Sequence, residues 1–426
     1  MHNELLHGRR LVLLCLIASF AAVSAVLFTP SFVDMRQYFD LSEGTVITAL
    51  TTFIFGFAVG TLYHVVLANR FGRKSALLSG LSFSMIAGFL ILFVDIGERF
   101  GLVAFFRFLQ GAGASCGFVL ALSMIADTRE KDATRAGSIL IYGFSLAVAL
   151  ATFLGGVLTV HWGWQGCFVF LVIYNVFLFF LTFLLPETLL PHRETLVGKT
   201  FQGYKKQFAD SFLVLHGCMA GFSLVVVYLF PALAPFIAME EIQLSPDIYG
   251  LFALISYMGM ALGFFFWMRY KKQPPRISML VGIFYTLLGS FVMQIFFAND
   301  MINSWTLFLL SAVILAGPAQ IYLSSLSVAL SEATDQRSSF VVFQFIALMI
   351  TAISILIISL APQDPFLYPR ASATAAVAAL LFWFFLRAHH ARLHKKPSAV
   401  KKKKKKRVQK KPPRPETPPT SELIAE

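Results

Sequence analysis

The chain alternates long uncharged apolar runs with short segments that gather most of its polar and charged residues. Runs of about 20 apolar residues are long enough to cross a bilayer as helices. Six come first, at 11–29, 46–67, 75–94, 102–125, 136–160 and 165–185. After a polar stretch six more follow, at 212–237, 248–268, 277–297, 304–330, 338–360 and 371–386. Barrel strands would need only about 10 residues of alternating polarity, a pattern that is absent. The expected fold is therefore an all-α membrane protein of twelve transmembrane helices in two six-helix bundles, 1–186 and 211–386. Arg9-Arg10 resembles the start of a signal peptide, but the apolar run is too long and no A-x-A site follows. It reads as an uncleaved first helix.

The polar segments sort by charge. Alternate loops collect Arg9, Arg10, Arg70, Arg73, Lys74, Arg129, Lys131, Arg135, Lys199, Lys205, Lys206, Arg269, Arg276 and Arg337, with the C-terminal tail. The intervening loops hold Arg36, Arg99 and Arg370 among acids such as Asp40, Glu43, Asp95, Glu240 and Asp300. Positive loops stay in the cytoplasm, so both termini are expected on the cytoplasmic side of the inner membrane.

Composition agrees. The chain is 57% apolar and 13% charged, against about 25% charged in a soluble domain. Cys15, Cys116, Cys167 and Cys218 form no C-x-x-C pair, so neither disulfide nor metal is expected. The linker 187–210 places Phe201, Tyr204 and Phe208 beside Lys205 and Lys206, the pattern of a short interfacial helix. Residues 387–426 form a lysine-rich tail with too few apolar residues for a core. No aromatic residues interleave with its lysines, so anionic lipid is the expected contact and nucleic acid is not. Gly60 precedes Arg70 by ten residues and Gly259 precedes Arg269 by ten, an echo between two related groups of six spans.

Several segments carry a family likeness. The stretch from Gly60 to Lys74 resembles the G-x-L-x-D-R-x-G-R-K loop of the major facilitator superfamily, with Arg70, Gly72, Arg73 and Lys74 in place. Asn69 stands where that family has an acid. "RFLQGAGAS" from Arg107, "LPET" from Leu185, "FTPSFVDM" from Phe28 and "YLFPALAPF" before "LSPDIYGLFAL" resemble the drug:proton antiporter branch, of Bcr/CflA type. The branch's G-P-x-x-G-G element is altered: Gly155-Gly156 remain, but Ala151-Thr152 replace Gly-Pro.

The resemblance implies a secondary transporter without cofactor, exporting small amphipathic compounds in exchange for protons, likewise as a monomer and not an enzyme. Export or import of an endogenous metabolite or siderophore is the alternative. A non-transporting scaffold or sensor acting through the basic tail is a third reading. Arg107 is the one charge placed well inside a span, and a buried cation there costs at least about 2.5–3.5 kcal/mol. By resemblance it faces the cavity beside Gln110; snorkelling outward is the competing expectation. Arginine keeps its proton, and no span centre contains Asp or Glu. Asp34, near the outer end of the first span, is therefore the candidate proton carrier, interacting with Arg107. Asp127 is expected to face Arg73 in a cytoplasmic gate with Asn69, Arg70, Gly72 and Lys74. Tyr142, Tyr228, Tyr257, Gln294, Gln320, Tyr322 and Gln344 are the polar span residues available to line a substrate cavity.

Overall fold

The computed structural model describes residues 9–94, 100–126, 130–188, 196–270, 273–333 and 335–395. Its helices are α1 (Arg9–Val26), α2 (Phe32–Phe39), α3 (Glu43–Phe71), α4 (Arg73–Ile91), α5 (Phe100–Ala126) and α6 (Glu130–Thr182). There follow α7 (Leu196–Phe208), α8 (Ser211–Phe236), α9 (Pro246–Arg269), α10 (Pro275–Ala298), α11 (Ser304–Ser331), α12 (Gln336–Ser359) and α13 (Leu367–Lys395). Residues 1–383 form one compact unit and 384–426 a second. Within the second, α13 continues to Lys395, past the expected start of the tail at Arg387.

Local chemistry sets the helix starts. The Ser42 hydroxyl accepts from Thr45 N, and Asp210 accepts from Phe212 N and Leu213 N. Asn303 forms a reciprocal capping box with Thr306, and Asp335 accepts from Arg337 N and Ser338 N. Each side chain satisfies amides that have no carbonyl partner inside the helix. Pro30 lies in a 3-10 turn, Thr29–Ser31, that divides the first span into α1 and α2.

Among the described residues, eleven helices are long and apolar enough to cross a membrane. The count falls one short of twelve because the fifth and sixth expected spans run together in α6. That helix has 53 residues, which would reach about 80 Å if straight, more than twice a bilayer's hydrocarbon core of about 30 Å. Its backbone leaves the helical region at Gly163, with φ 61° and ψ −165°. Glycine enters this region without a Cβ penalty. The segments 130–162 and 164–182 are thus separate crossings joined at one residue.

Glycines set the closest helix contacts. A Cβ at Gly56 would meet the Phe108 carbonyl, and one at Gly60 the Ala112 carbonyl, fixing α3 on α5. Gly259 and Gly263 meet the Ala312 and Ala316 carbonyls in the same way, fixing α9 on α11. The two helix groups therefore repeat one packing. It matches Gly56 and Gly60 with Gly259 and Gly263, one turn away from the alignment that the sequence echo suggests. By this correspondence Arg107 on α5 matches Ser311 on α11.

The most extensive packing between the groups is α3 on α12 and α6 on α9; α2 also touches α8. Helix ends bearing Arg70, Arg73, Lys74, Arg269 and Arg337 define a basic end; Asp40, Glu43, Glu240 and Asp300 mark the opposite, acidic end. At the acidic end the joined helices touch backbone to backbone. Gly44 abuts the Ser359 carbonyl, Gly156 the Pro246 carbonyl, and Gly250 the Phe153 backbone.

The glycine packing gives a direct test. Gly56→Ala should lower the thermal stability of the detergent-solubilised protein by about 1–3 kcal/mol, because the Phe108 backbone cannot retreat. Gly101→Ala, where no atom lies within 4 Å of the added carbon, should be neutral or slightly stabilising. Equal effects of the two would refute the assignment.

Candidate functional site

Between the two helix groups lies a cavity of about 850 Å³. Its walls are largely apolar, with Phe57, Phe118, Phe144, Phe264 and Phe340 among aliphatic side chains and Met260. Ala22, Ala25 and Val26 come from α1, next to the break at Pro30, and Tyr228 and Tyr257 from the opposite group. Toward the basic end the lining becomes polar, with Asn69, Arg73, Lys199, Thr200, Asp335 and Arg337. None of the acidic-end residues lines it. The space is thus closed where Gly44, Gly156 and Gly250 bring the backbones together.

Of the expected cavity residues, Tyr228, Tyr257, Tyr322 and Gln344 line it. Tyr322 donates its hydroxyl proton to Gln344 Oε1, so these two hold each other. Gln294 and Gln320 do not line it. Gln294 turns back on its own helix, donating to Ser290 O at 3.4 Å. Gln320 is buried against α10, its Cβ beside Gly282. A polar side chain on a membrane helix can find a partner on its own or a neighbouring helix, so polarity alone did not mark the cavity. The side chain of Tyr142, and Asp127 entirely, lie outside the described residues.

Arg107 is fully buried, which excludes snorkelling. It does not line the cavity either. Nη1 donates to Ser24 O at 3.0 Å and to Gln110 Oε1 at 2.6 Å, and Nε to Ala49 O at 3.3 Å. The guanidinium lies over the rings of Phe28, at 4.1 Å, and Phe53, at 4.3 Å, with Phe168 at 5.8 Å. Aromatic faces attract a desolvated cation by about 2 kcal/mol or more, and carbonyl oxygens complete the cage. Nη2 has no hydrogen-bond partner.

Asp34 is engaged elsewhere and is not hydrogen-bonded to Arg107. Its Oδ2 accepts from Trp164 N at 2.7 Å, where the segment 164–182 begins after the Gly163 break. A carboxylate at a helix N-terminus satisfies an unpaired amide and meets the positive end of the helix dipole. Asp34 thereby ties α2 to the second half of α6.

The basic-end loop is a joint. Gly72, at φ 99°, ends α3 and starts α4 but has no side chain to cap it. Glu187, from the "LPET" stretch, supplies the cap: its carboxylate accepts from Arg73 N at 2.9 Å and Lys74 N at 3.1 Å. A Cβ at Gly72 would collide with that carboxylate. Lys74 Nζ donates to Phe183 O at 2.8 Å, at the end of α6. Arg70 lies over the Phe71 ring. Asn69 works in two directions, accepting from Arg73 Nη1 at 2.8 Å and donating from Nδ2 to Thr200 Oγ1 at 3.0 Å. An aspartate could not make the second of these as a donor.

Helix α7 completes this end. Tyr204 donates to Leu62 O at 3.2 Å, Gly203 packs on Ser338, and the Phe208 ring meets Phe345 at 5.7 Å. Burial pushes the Tyr204 phenol well above its usual range, and the Asp335 carboxylate adds to this. The amphipathic linker helix expected from the sequence therefore bridges α3 and α12, rather than resting on lipid alone. The roles of Glu187, Lys199 and Thr200 escaped sequence reasoning. "LPET" was the one visible signal, and it carried no hint of a partner at Arg73.

The sequence profile of the Major Facilitator Superfamily matches residues 13–231. Multidrug resistance protein D of Escherichia coli strain K12 is 26% identical over 326 residues, covering 73% of this chain and 78% of that protein. Multidrug resistance protein MdtL of Escherichia coli O81 is 33% identical over 184 residues, covering 41% of this chain and 45% of its own. An uncharacterised transporter of Rickettsia bellii is 26% identical over 295 residues, covering 67% of this chain and 70% of its own. In structure, the xylose transporter XylE from E. coli aligns with a TM-score of 0.68 at 16% identity, over 88% of this chain and 96% of that one. This last likeness concerns the fold.

The joint at Gly72 is testable by stability alone. Glu187→Ala should cost about 1 kcal/mol, the usual loss of a helix cap. Gly72→Ala should cost more, because it combines a collision with a positive φ. Thermal melting of both variants in one detergent checks the order.

Proposed function

The chain belongs to the Major Facilitator Superfamily, a transporter rather than an enzyme, and from that premise we propose that it exports small amphipathic organic compounds in exchange for protons. The observation that carries this reading is the largely apolar cavity of about 850 Å³, closed at the acidic end and lined by polar groups toward the basic end. Cavities of a few hundred to about 1,000 Å³ suit drug-sized ligands. Relatives at modest identity are multidrug resistance proteins by name.

The basic end is cytoplasmic by the positive-inside rule, which puts both termini on that side of the inner membrane. The conformation described here then faces inward and loads from the cytoplasm. Residues 1–186 and 211–386 act as the two moving bundles, with 187–210 between them. Substrate enters past Asn69, Arg73 and Lys199 and settles against Tyr228, Tyr257 and Tyr322. The gate on this side is the joint of Asn69, Arg70, Gly72, Arg73 and Lys74, with Asp127 as a further acid. The tail from residue 387 touches anionic lipid, and the protein works as a monomer.

Proton coupling is assigned to Asp34, with Arg107, held by Gln110, setting the charge of the interior. A protonated Asp34 is a poorer acceptor for Trp164 N, so proton binding loosens α2 from the Gly163 break. Arg107 holds a fixed positive charge beside the break at Pro30 and disfavours a second cation there. Lys199, beside Arg73 and Arg337 at the cavity mouth, favours a second reading: an endogenous metabolite with an anionic group.

Proteoliposomes with an acidic lumen test the proposal. A fluorescent amphipathic dye should accumulate inside while protons leave, and a protonophore should abolish the effect. Accumulation that ignores the gradient would refute proton exchange. Asp34→Asn should lower the rate at least tenfold and flatten its pH dependence; an unchanged profile would remove Asp34 from the coupling. Tyr257→Ala should raise KM severalfold for bulky substrates, measured as dye flux against concentration.

A further inference from the structure

We infer that Arg36 is the latch of the acidic end, holding the two helix groups shut by clamping a carboxylate from each. The inference rests on the inward-facing, two-bundle reading above. Arg36 Nη1 lies 3.3 Å from Glu43 Oε1 in its own group and 3.1 Å from Glu240 Oε2 in the other. The pairing of Arg36 with Glu240 is an ion pair between the groups. It sits where closure is needed, because the cavity lies on the far side of it and opens toward the basic end.

The local backbone holds the three groups in place. Arg36 is in the last turn of α2, whose end is set by Asp40 at φ 52° and by Leu41 N donating to Arg36 O at 3.0 Å. Glu43 opens α3 three residues after Asp40. Glu240 comes from a π-helical turn, Ile237–Glu241, that ends the seventh span. Beside the ion pair, Phe32 and Phe236 bring their rings to 6.0 Å across the same seam. Glycine contacts seal the seam but carry no charge, so they separate without breaking a polar bond.

The latch is built to release. All three side chains are about one-quarter to one-third exposed, and an ion pair so placed contributes little. Glu240 Oε1 is buried without a hydrogen-bond partner, so the carboxylate regains hydration when the end opens. The Glu43 arm stays within one group and survives opening; the Glu240 arm cannot. Arg36 is thus a positioning residue for the transport cycle, acting on the balance of states and not on substrate.

Distance measurements between spin labels test this. Cysteines at the exposed positions Gln37 and Ile248, with the four native cysteines replaced by serine, report the width of the acidic end in lipid nanodiscs. Glu240→Gln should raise the ratio of open to closed molecules about fivefold, as a partly exposed ion pair warrants. Glu43→Gln should shift it less, and the reversed pair Arg36→Glu with Glu240→Arg should restore closure. If Glu240→Gln leaves the distances unaltered, or the reversed pair stays as open as the single variant, Arg36 is not the latch. The measurement needs neither substrate nor a proton gradient, so it stands or falls separately from dye export.

Discussion

Helices in a bilayer gain little by burying apolar surface against one another, since lipid is as apolar as they are. What distinguishes a partner helix from lipid is close contact of backbones, and here that contact depends on glycine. Gly56 and Gly60 seat α3 on α5; Gly259 and Gly263 seat α9 on α11. Each group is thereby a stiff body. The seams between groups use the same device at the acidic end, through Gly44, Gly156 and Gly250. Thr152, unlike the proline of the antiporter branch, keeps a backbone N–H, so α6 can continue through this position; its hydroxyl bonds Val148 O at 3.0 Å, and its carbonyl lies close to Gly250.

Charge is distributed unequally over this frame. One group encloses Arg107 in carbonyls and aromatic rings, while the matching position of the other is Ser311. A fixed cation in only one half gives the two bodies different electrostatic surroundings, although their packing repeats. Carboxylates, by contrast, sit at ends: Asp34 on Trp164 N, Glu187 on the start of α4, Asp335 on the start of α12. Each holds a helix terminus, where a negative charge is stabilised by unpaired amides.

Sequence made the spans legible because apolar composition is a property of each segment by itself. The charge of the loops and the amphipathic α7 were legible for the same reason. Contacts across the chain were not. The partner of Arg73 N and Lys74 N is Glu187, more than one hundred residues away, and spacing cannot reveal it. Nothing in the sequence separates Gly163 from the other glycines, whereas its φ of 61° marks the boundary between two crossings. Gln294 and Gln320 had the same chemistry as Gln344, and only the facing of the helix separated them. Arg107 was recognised as unusual, yet its cage draws on Phe28, Phe53 and Phe168 from three different segments.

Helix α7 has a consequence for selectivity. Bonded to α3 through Tyr204 and Asn69, and packed on α12 through Gly203, it spans the mouth of the cavity as a tether of fixed length. A short helix does not stretch, so the aperture widens only as far as those attachments allow. In an export cycle the upper size of a permeant molecule would then be set by the doorway and not by the volume of the chamber behind it. Changes to the linker would alter which molecules are admitted while leaving every residue of the binding chamber untouched.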